Sequence, residues 1–590
     1  MDDLRRVVLK YALINAVDHE GKASPKAVLN KIFVDLPEVK EKMKDREFRD
    51  NVLGLVEETV KYVNSLSYDE QASILERDFG ITLEMLREVK ASKTRIGLPE
   101  LPNAIRGKVV TRFAPAPTGA IHLGQVLRAA YMSWYYARKY DGKFILRIED
   151  TDPRRVKRIY YDWIMEDLRA LGLEWDEVIY ESDHFEMYYD LTHKLFERGR
   201  AYVCNCKSHE FKKLVIRGMP CPHREKQDTI DYWENMLAGK YREGEAIVRL
   251  KTDLSTRNPA LIDPPLLRII ESVPHPRTGY KYRIYPLYNY ACIIEDYASG
   301  ITHVIRAKEH ETNQKIQRMI ADAFGWDVNI TYVEYGMIKI TGVPAHKRDI
   351  RGALRRKELS GWDDPKLITI RALLKRGVHP EAIKMLAEHV GMTKHDIEDL
   401  SLKTLFTFNA RILSPMAKRI FFVEDPVKLL IRVEGDVYES RNPWIPGKEE
   451  AGYRTYRLYP KIMNGEKILE VYISRSDVDL LRKSREANSI IRLKGLINIK
   501  VEKIDLAKKE IHAVQSGIME IKGVTKIHWV PAGDLSIKAF VVTPEGTVEG
   551  LAEFYAQLLK DGDYIQMERY GWGKVLKNEG EVIYFTYAHS

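Results

Sequence analysis

Residues 108–150, KVVTRFAPAPTGAIHLGQVLRAAYMSWYYARKYDGKFILRIED, constrain the fold more than any other stretch of the chain. KVVTRFA (108–114) has the β-branched run of a strand. QVLRAAYMSWYYARKY (125–140) reads as a helix, and KFILRIED (143–150) as a second strand. Strand, crossover helix and strand imply a parallel sheet with a right-handed connection. In such a sheet ligands sit beyond the carboxyl ends of the strands, where a loop leads into a helix. That loop here is RFAPAPTGAIHLGQ, 112–125. Pro115 and Pro117 stiffen it, while Gly119 and Gly124 let the backbone approach a ligand closely. The helix that begins near Gly124 aims unpaired N–H groups at the loop, which suits a phosphate, and His122 stands within reach of the same anion. The alternative is a proline-containing surface turn with an incidental histidine.

A chain of 590 residues is too long for one hydrophobic core, so about three to five domains are expected. Residues 1–100 read as helical: Leu4, Val8, Tyr11 and Ala12 share one face, as do Val52, Val56, Val60 and Val63. KTRIGLPELPNAIRG (93–107) looks like a linker. Helical patterning continues to about residue 410. Beyond about 415 the texture becomes short β-branched and aromatic runs separated by turn signals, such as LLIRV, ILEVYI, LSIKAFVV and EVIYFTY, which argue for one or two β-barrels. No apolar run reaches the roughly 20 residues of a membrane span. The start, MDDLRRVVLK, lacks the layout of a signal peptide. Four cysteines cannot make a disulfide framework, so a reducing cytoplasm is expected. The net charge of +9 permits a polyanionic partner without requiring one.

Three of those four cysteines lie close together, in CNC (204–206) and CPH (221–223). Cys204, Cys206, Cys221 and His223 offer four soft ligands from two tight turns, a set that suits closed, tetrahedral, structural zinc. Free buried thiols beside a surface histidine are the alternative.

TRFAPAPTGAIHLG and LRIEDTDP (146–153) resemble the ATP-binding signature of class I glutamyl- and glutaminyl-tRNA synthetases. YPLYNYACIIED (285–296), GITHVIRAKEH (300–310) and GWDDPKL (361–367) continue the likeness in the family's order. It extends over essentially the whole chain and is greatest to the archaeal-type glutamyl enzymes, whose anticodon domains are β-barrels. The resemblance implies a multidomain protein with a Rossmann-like α/β core. Its expected parts are an N-terminal helical domain (1–100), the core in two halves (106–200 and 285–345), an insertion gripping the tRNA acceptor end (201–284), a signature loop with a helical connecting region (346–414), and anticodon-binding β-barrels (415–590). The implied reaction joins L-glutamate to tRNA(Glu), with tRNA(Gln) as a second candidate acceptor, through a glutamyl-adenylate, with ATP and Mg2+; a cytoplasmic monomer with no membrane partner is expected.

By motif position, the triphosphate would be held by Pro115, Pro117, Thr118, Gly119, His122, Leu123, Gly124 and Gln125, with Lys347 and Arg348 closing on the leaving group. His122 and Lys347 would carry most of the catalysis. Arg112, Tyr288 and Arg306 would converge on the substrate's side-chain carboxylate, and Glu149 on its ammonium. Ala114, Ala116 and Cys292 would complete that pocket, the last two where relatives often have small polar groups. An arginine pairs with a carboxylate bidentately but offers an amide's NH2 no acceptor, so Arg306 points to glutamate rather than glutamine. Two motifs depart from the family pattern. His-Ile-Gly-His reads His-Leu-Gly-Gln, and the Lys-Met-Ser-Lys-Ser segment reads VPAHKRDIR (343–351), with His346 in place of the serine. A glutaminyl enzyme and a catalytically weak tRNA-binding paralogue are the rival readings. Arg411, Lys418, Arg419, Arg441, Trp444 and Arg454 are candidates for the anticodon surface.

Overall fold

A computed structural model describes residues 2–18, 21–79, 81–82, 98–226, 228–340 and 347–590. The chain forms two compact units, Met1–Leu98 and Pro99–Ser590. In the first, helices Asp2–Asp18, Pro25–Asp35, Pro37–Lys42, Arg46–Ser65 and Tyr68–Phe79 pack on one another. The Asp45 side chain accepts a hydrogen bond from the Phe48 amide (2.9 Å), satisfying a free donor where the Arg46–Ser65 helix starts. The valine stripe at 52, 56, 60 and 63 is buried, as are Val8 and Ala12. Of the expected linker, 93–97 lie outside the described residues, and 98–109 run as turns and irregular backbone.

The second unit is built on a five-stranded parallel sheet. Its strands lie in the order Glu177–Tyr180, Lys143–Ile148, Val110–Phe113, His303–Ala307, Thr331–Tyr335. Lys143–Ile148 is buried at every position but its first, as expected of a parallel strand covered on both faces. The order reverses at Val110–Phe113, whose neighbours come from before and after a long insertion, so the loop leaving this strand opens at the switch point. The following helix begins at Leu123–Gln125 and ends as Tyr131–Lys139. Between them Val126–Ala130 is π-helical, the Tyr131 amide donating back to the Val126 carbonyl. Such a bulge re-aims side chains in the turn nearest the loop.

Between the halves of the parallel sheet, Ala201–Cys204, Ile247–Leu250, Pro265–Ile269 and Ile284–Pro286 form an antiparallel sheet. Trp233, Met236, Phe185 and Tyr188 are buried in the same core as its strands. Helices Lys347–Arg355, Ile370–Arg376, Pro380–Val390 and Leu402–Leu413 then lead to the β-rich end. Two large sheets are nested there. The chain enters the seven-stranded sheet at Lys418–Ile420 and Phe422–Glu424 and leaves it over Val427–Pro531 for the second sheet and a separate two-stranded ribbon, Tyr438–Pro443 with Tyr453–Leu458. It returns to complete the first from Ser536 to His589. Among the described residues no helix is long and apolar enough to cross a membrane.

Candidate active site

The loop after Val110–Phe113 is held from three sides. The Pro115 carbonyl accepts from the Glu149 amide (3.2 Å) and the Pro117 carbonyl from the Lys157 amide (3.3 Å). The Leu123 amide donates to the Ile368 carbonyl (2.9 Å), and the Ile370 amide to that of Ile121 (3.0 Å). The residues just after the GWDDPKL segment therefore form one wall of the loop. Gly119, at φ +148°, lies against the indole of Trp362. His122 opens the helix, and its amide donates to Oε1 of Gln125 (3.3 Å). The amide in the last motif position thus caps the helix start. A Cβ at Gly124 would meet Nδ1 of His122 at 3.3 Å, so glycine there leaves the imidazole room.

The Lys347–Arg355 helix docks on the other side of this loop. Lys347 Nζ donates to the Gly119 carbonyl (3.2 Å), and Arg351 donates to that of Thr118 (3.4 Å). Burial, then the nearby Arg351 and Arg155, lower the Lys347 ammonium to about 8. Arg348 is exposed. With Arg154, Arg155, Lys157, Arg351 and Arg355 it lines a cleft of about 530 Å3 floored by Tyr160 and Trp362. The cations at 154–157 follow RIEDTDP directly, and only their position across from Lys347–Arg355 marks them as part of the site. Residues 343–346 of the expected signature loop, His346 included, lie outside the described residues.

Behind the loop lies a cavity of about 260 Å3 lined by Arg112, Ala114, Ala116, Glu149, Tyr288 and Arg306. Pro115 and Gln125 also face it, and Ala116, Glu149 and Tyr288 are shared with a second cavity of about 510 Å3 that reaches Thr118. Arg306 is buried, with its guanidinium 4.4 Å from the Tyr332 ring centroid. Its Nη1 donates to the Gln317 side chain (3.0 Å), whereas Nε and Nη2 have no partner. A buried guanidinium left so incompletely satisfied is costly unless an anion completes it. Arg112 is held from behind by Asp296, at 3.2 Å. Asp296 also pairs with Arg147, which in turn donates to Glu149 (3.2 Å). Burial raises the Glu149 carboxyl above its ordinary range, partly offset by Arg147 and Arg112, while the same two arginines hold Asp296 below it against the effect of burial.

Cys292, expected in the pocket, is not among the residues lining the 260 Å3 cavity. It is fully buried, 3.3 Å from Arg147 and 3.9 Å from Arg112. One helix turn separates it from Asp296, so the face of Tyr288–Ala298 that carries Cys292 packs against the arginines' support. Arg147, Asp296 and His310, the last facing the cavity itself, escaped the sequence reading. They lie inside motifs already quoted, but nothing in their order says which side faces the ligand.

In the insertion, Cys204, Cys206, Cys221 and His223 bring their ligand atoms within 4.8 Å of one another. Four of the separations are 3.5 Å (Cys204–Cys221), 3.7 Å (Cys206–Cys221), 3.6 Å (Cys206–His223 Nδ1) and 3.5 Å (Cys221–His223 Nδ1). Ligands about 2.0–2.3 Å from zinc at tetrahedral corners have edges of roughly 3.3–3.8 Å. The donor set fits the ion.

The anticodon candidates divide. Arg411 and Arg441 are exposed, the latter stacked 3.7 Å from the Tyr453 ring centroid. Lys418 is partly exposed and paired with Asp563 at 2.9 Å. Arg454 is fully buried and ion-paired with Glu553, close to Phe421 and the partly buried Trp444. Arg419 is buried over Trp572. Arg454 and Arg419 therefore belong to the interior, where each guanidinium packs on a ring that is itself buried, Phe421 and Trp572.

Comparison with known proteins places this architecture. The family model for class I tRNA synthetases (E and Q), catalytic domain, matches residues 108–415, and that for their anti-codon binding domain matches 417–517. A glutamate–tRNA ligase of Pyrococcus furiosus is 42% identical over 597 residues, covering 100% of both chains. That of Thermococcus kodakarensis is 42% identical over 601 residues, again covering 100% of both. That of Methanocaldococcus jannaschii is 38% identical over 587 residues, covering 99% of each.

Proposed function

The chain belongs to the glutamyl and glutaminyl family of class I tRNA synthetases and is a glutamate–tRNA ligase; from that premise we propose how its residues divide the work. Glutamate occupies the 260 Å3 cavity, its side-chain carboxylate on Arg306 and Arg112, its ammonium toward Glu149. The observation that carries this assignment is Arg306, buried with two unpartnered nitrogens in the cavity wall. Tyr288 adds a hydroxyl donor. ATP, with its Mg2+, lies along residues 115–125, its phosphates near His122 and along the loop backbone of Gly119–Ile121 and Gly124, since the Thr118 and Leu123 amides are taken by Ala116 and Ile368. The substrate α-carboxylate attacks the α-phosphorus in line, the bond to the bridging oxygen breaks, and pyrophosphate leaves toward Lys347. Catalysis is then a matter of alignment and of charge placed where it develops. In the second step a terminal ribose hydroxyl of the tRNA attacks the adenylate's carbonyl carbon and AMP departs.

The remaining regions serve the tRNA. Residues 201–284 would receive the acceptor end, with one zinc on Cys204, Cys206, Cys221 and His223 holding the two turns together. The nested sheets beyond about 415 would read the anticodon. Charging assays with glutamate and glutamine, each against tRNA(Glu) and tRNA(Gln), test the substrate. Wild type should use glutamate, discriminating against glutamine on the order of 10⁴-fold, since an amide would leave buried donors facing donors. Arg306→Ala should abolish glutamate use while leaving any use of glutamine unchanged. Normal glutamate charging by that variant would overturn the assignment of Arg306.

A further inference from the structure

A chain of amide side chains leaves Arg306 and returns to the same cavity. Arg306 Nη1 donates to Gln317 Oε1 (3.0 Å), and Gln317 Nε2 donates to Asn289 Oδ1 (3.2 Å). Asn289 Nδ2 donates to Asn313 Oδ1 (3.1 Å), and Asn313 Nδ2 lies 3.0 Å from Nδ1 of His310. His310 lines the cavity beside Arg306, its ring 5.9 Å from that of Tyr288. Gln317 is fully buried.

The direction of this chain is not free. A guanidinium can only donate, so the atom of Gln317 that faces Arg306 must be its oxygen. Its NH2 must then donate onward, and the same logic passes through Asn289 and Asn313. At the end an NH2 group faces Nδ1 of His310, which must therefore accept. The imidazole proton is left on Nε2.

We propose that Gln317, Asn289 and Asn313 are positioning residues that orient Arg306 and fix His310 as an Nε2–H donor, making His310 a specificity residue for the substrate's side-chain carboxylate. This rests on the placement of glutamate in the cavity. Arg306, Arg112 and the Nε2–H of His310 then present donors only, with the Tyr288 hydroxyl able to donate beside them, a polarity that a carboxylate satisfies better than a terminal amide does. His310 stays neutral at ordinary pH because burial, and then the positive Arg306 and Arg112, lower its pKa; Glu309 opposes them weakly. Tyr288 and Tyr335 are the other titratable groups at this end of the cavity, both raised by burial and so uncharged. Glu149 lines it as well.

Asn313 is only partly buried, so Asn313→Asp should fold. An aspartate still accepts from Asn289 but can only accept from His310, so the imidazole proton moves to Nδ1 and Nε2 becomes an acceptor. The same carboxylate raises the pKa of His310 into the working range. Glutamate KM at saturating ATP should then rise with pH in Asn313→Asp, reaching roughly tenfold above wild type when the imidazole is neutral and recovering toward acid. KM for ATP should not move. Gln317→Glu, which pairs Arg306 internally, should raise glutamate KM by roughly tenfold or more at every pH. An Asn313→Asp enzyme whose glutamate KM matches wild type across the pH range would overturn the proposal. Arg306→Ala separates the two levels. If it too charges glutamate normally, the cavity assignment itself has failed; if it is inactive while Asn313→Asp behaves as wild type, only the relay has.

Discussion

Gly119 and Trp362 are in such close apposition that a Cβ on the glycine would stand 2.2 Å from Cη2 of the indole. The loop proposed to carry the ATP phosphates is therefore seated directly on the GWDDPKL segment, 243 residues later in the chain. The same glycine's carbonyl receives Lys347 Nζ. Gly119→Ala should raise KM for ATP by roughly tenfold or more, because the strained backbone and the clash both displace the loop. Adding Trp362→Leu removes the clash but not the φ of +148°, so it should restore part of the loss. ATP kinetics on the two single variants and the double one check this; a double variant no better than Gly119→Ala alone would show that the indole is not the obstacle.

Lys347 should impose an upper limit on the pH range of adenylate formation. An ammonium lowered to about 8 keeps its charge below that pH and loses it above. The value of kcat/KM for ATP, which reports the free enzyme, should thus fall as pH rises through about 8. Lys347→Arg should remove the fall, since a guanidinium stays charged. Pyrophosphate exchange measured against pH is the assay, and an unchanged alkaline limb in Lys347→Arg would assign it to another group.

Zinc binding predicts a stoichiometry and a defined lesion. Reduced, tag-free protein should hold about one zinc per chain, and Cys221→Ala should lose it together with the local structure of 201–226. Metal analysis with limited proteolysis of wild type and variant would show this. Wild type without zinc would return the four residues to the reading of free thiols and a histidine.

Arg454 and Arg441 should separate stability from recognition. Removing Arg454 leaves Glu553 buried, already pushed above the ordinary carboxylate range by burial, with Tyr456 and the Phe421 amide still bonded to it. Arg454→Met should cost about 3–5 kcal/mol, less when combined with Glu553→Gln. Arg441→Ala should leave the melting curve unchanged and weaken tRNA binding in a salt-dependent way. Thermal melts and tRNA titrations distinguish them; equal stability of wild type and Arg454→Met would contradict the buried ion pair.

Local order in the sequence determined the elements that depend on neighbours in the chain. The strand, loop, helix and strand of 108–150, the valine stripe of 52–63, the paired Cys turns and the change to short strands near 415 all follow from periodicity and residue type. So does the chemical character of Arg112, Glu149 and Arg306, since charge and hydrogen-bonding capacity travel with the side chain. Tertiary structure alone decided which face of a motif meets the ligand. Cys292 and Asp296 share one short motif, yet Asp296 braces Arg112 while Cys292 fills the space behind it. The nesting of the second β-sheet within the first required pairing of strands more than a hundred residues apart, a relation that no local pattern encodes. Arg454 has the same composition signal as Arg441, and only burial opposite Glu553 makes it structural. The direction of the amide relay to His310 likewise came from distance: each amide can face either way by itself, and Arg306, which can only donate, orients them all once the fold brings them into line.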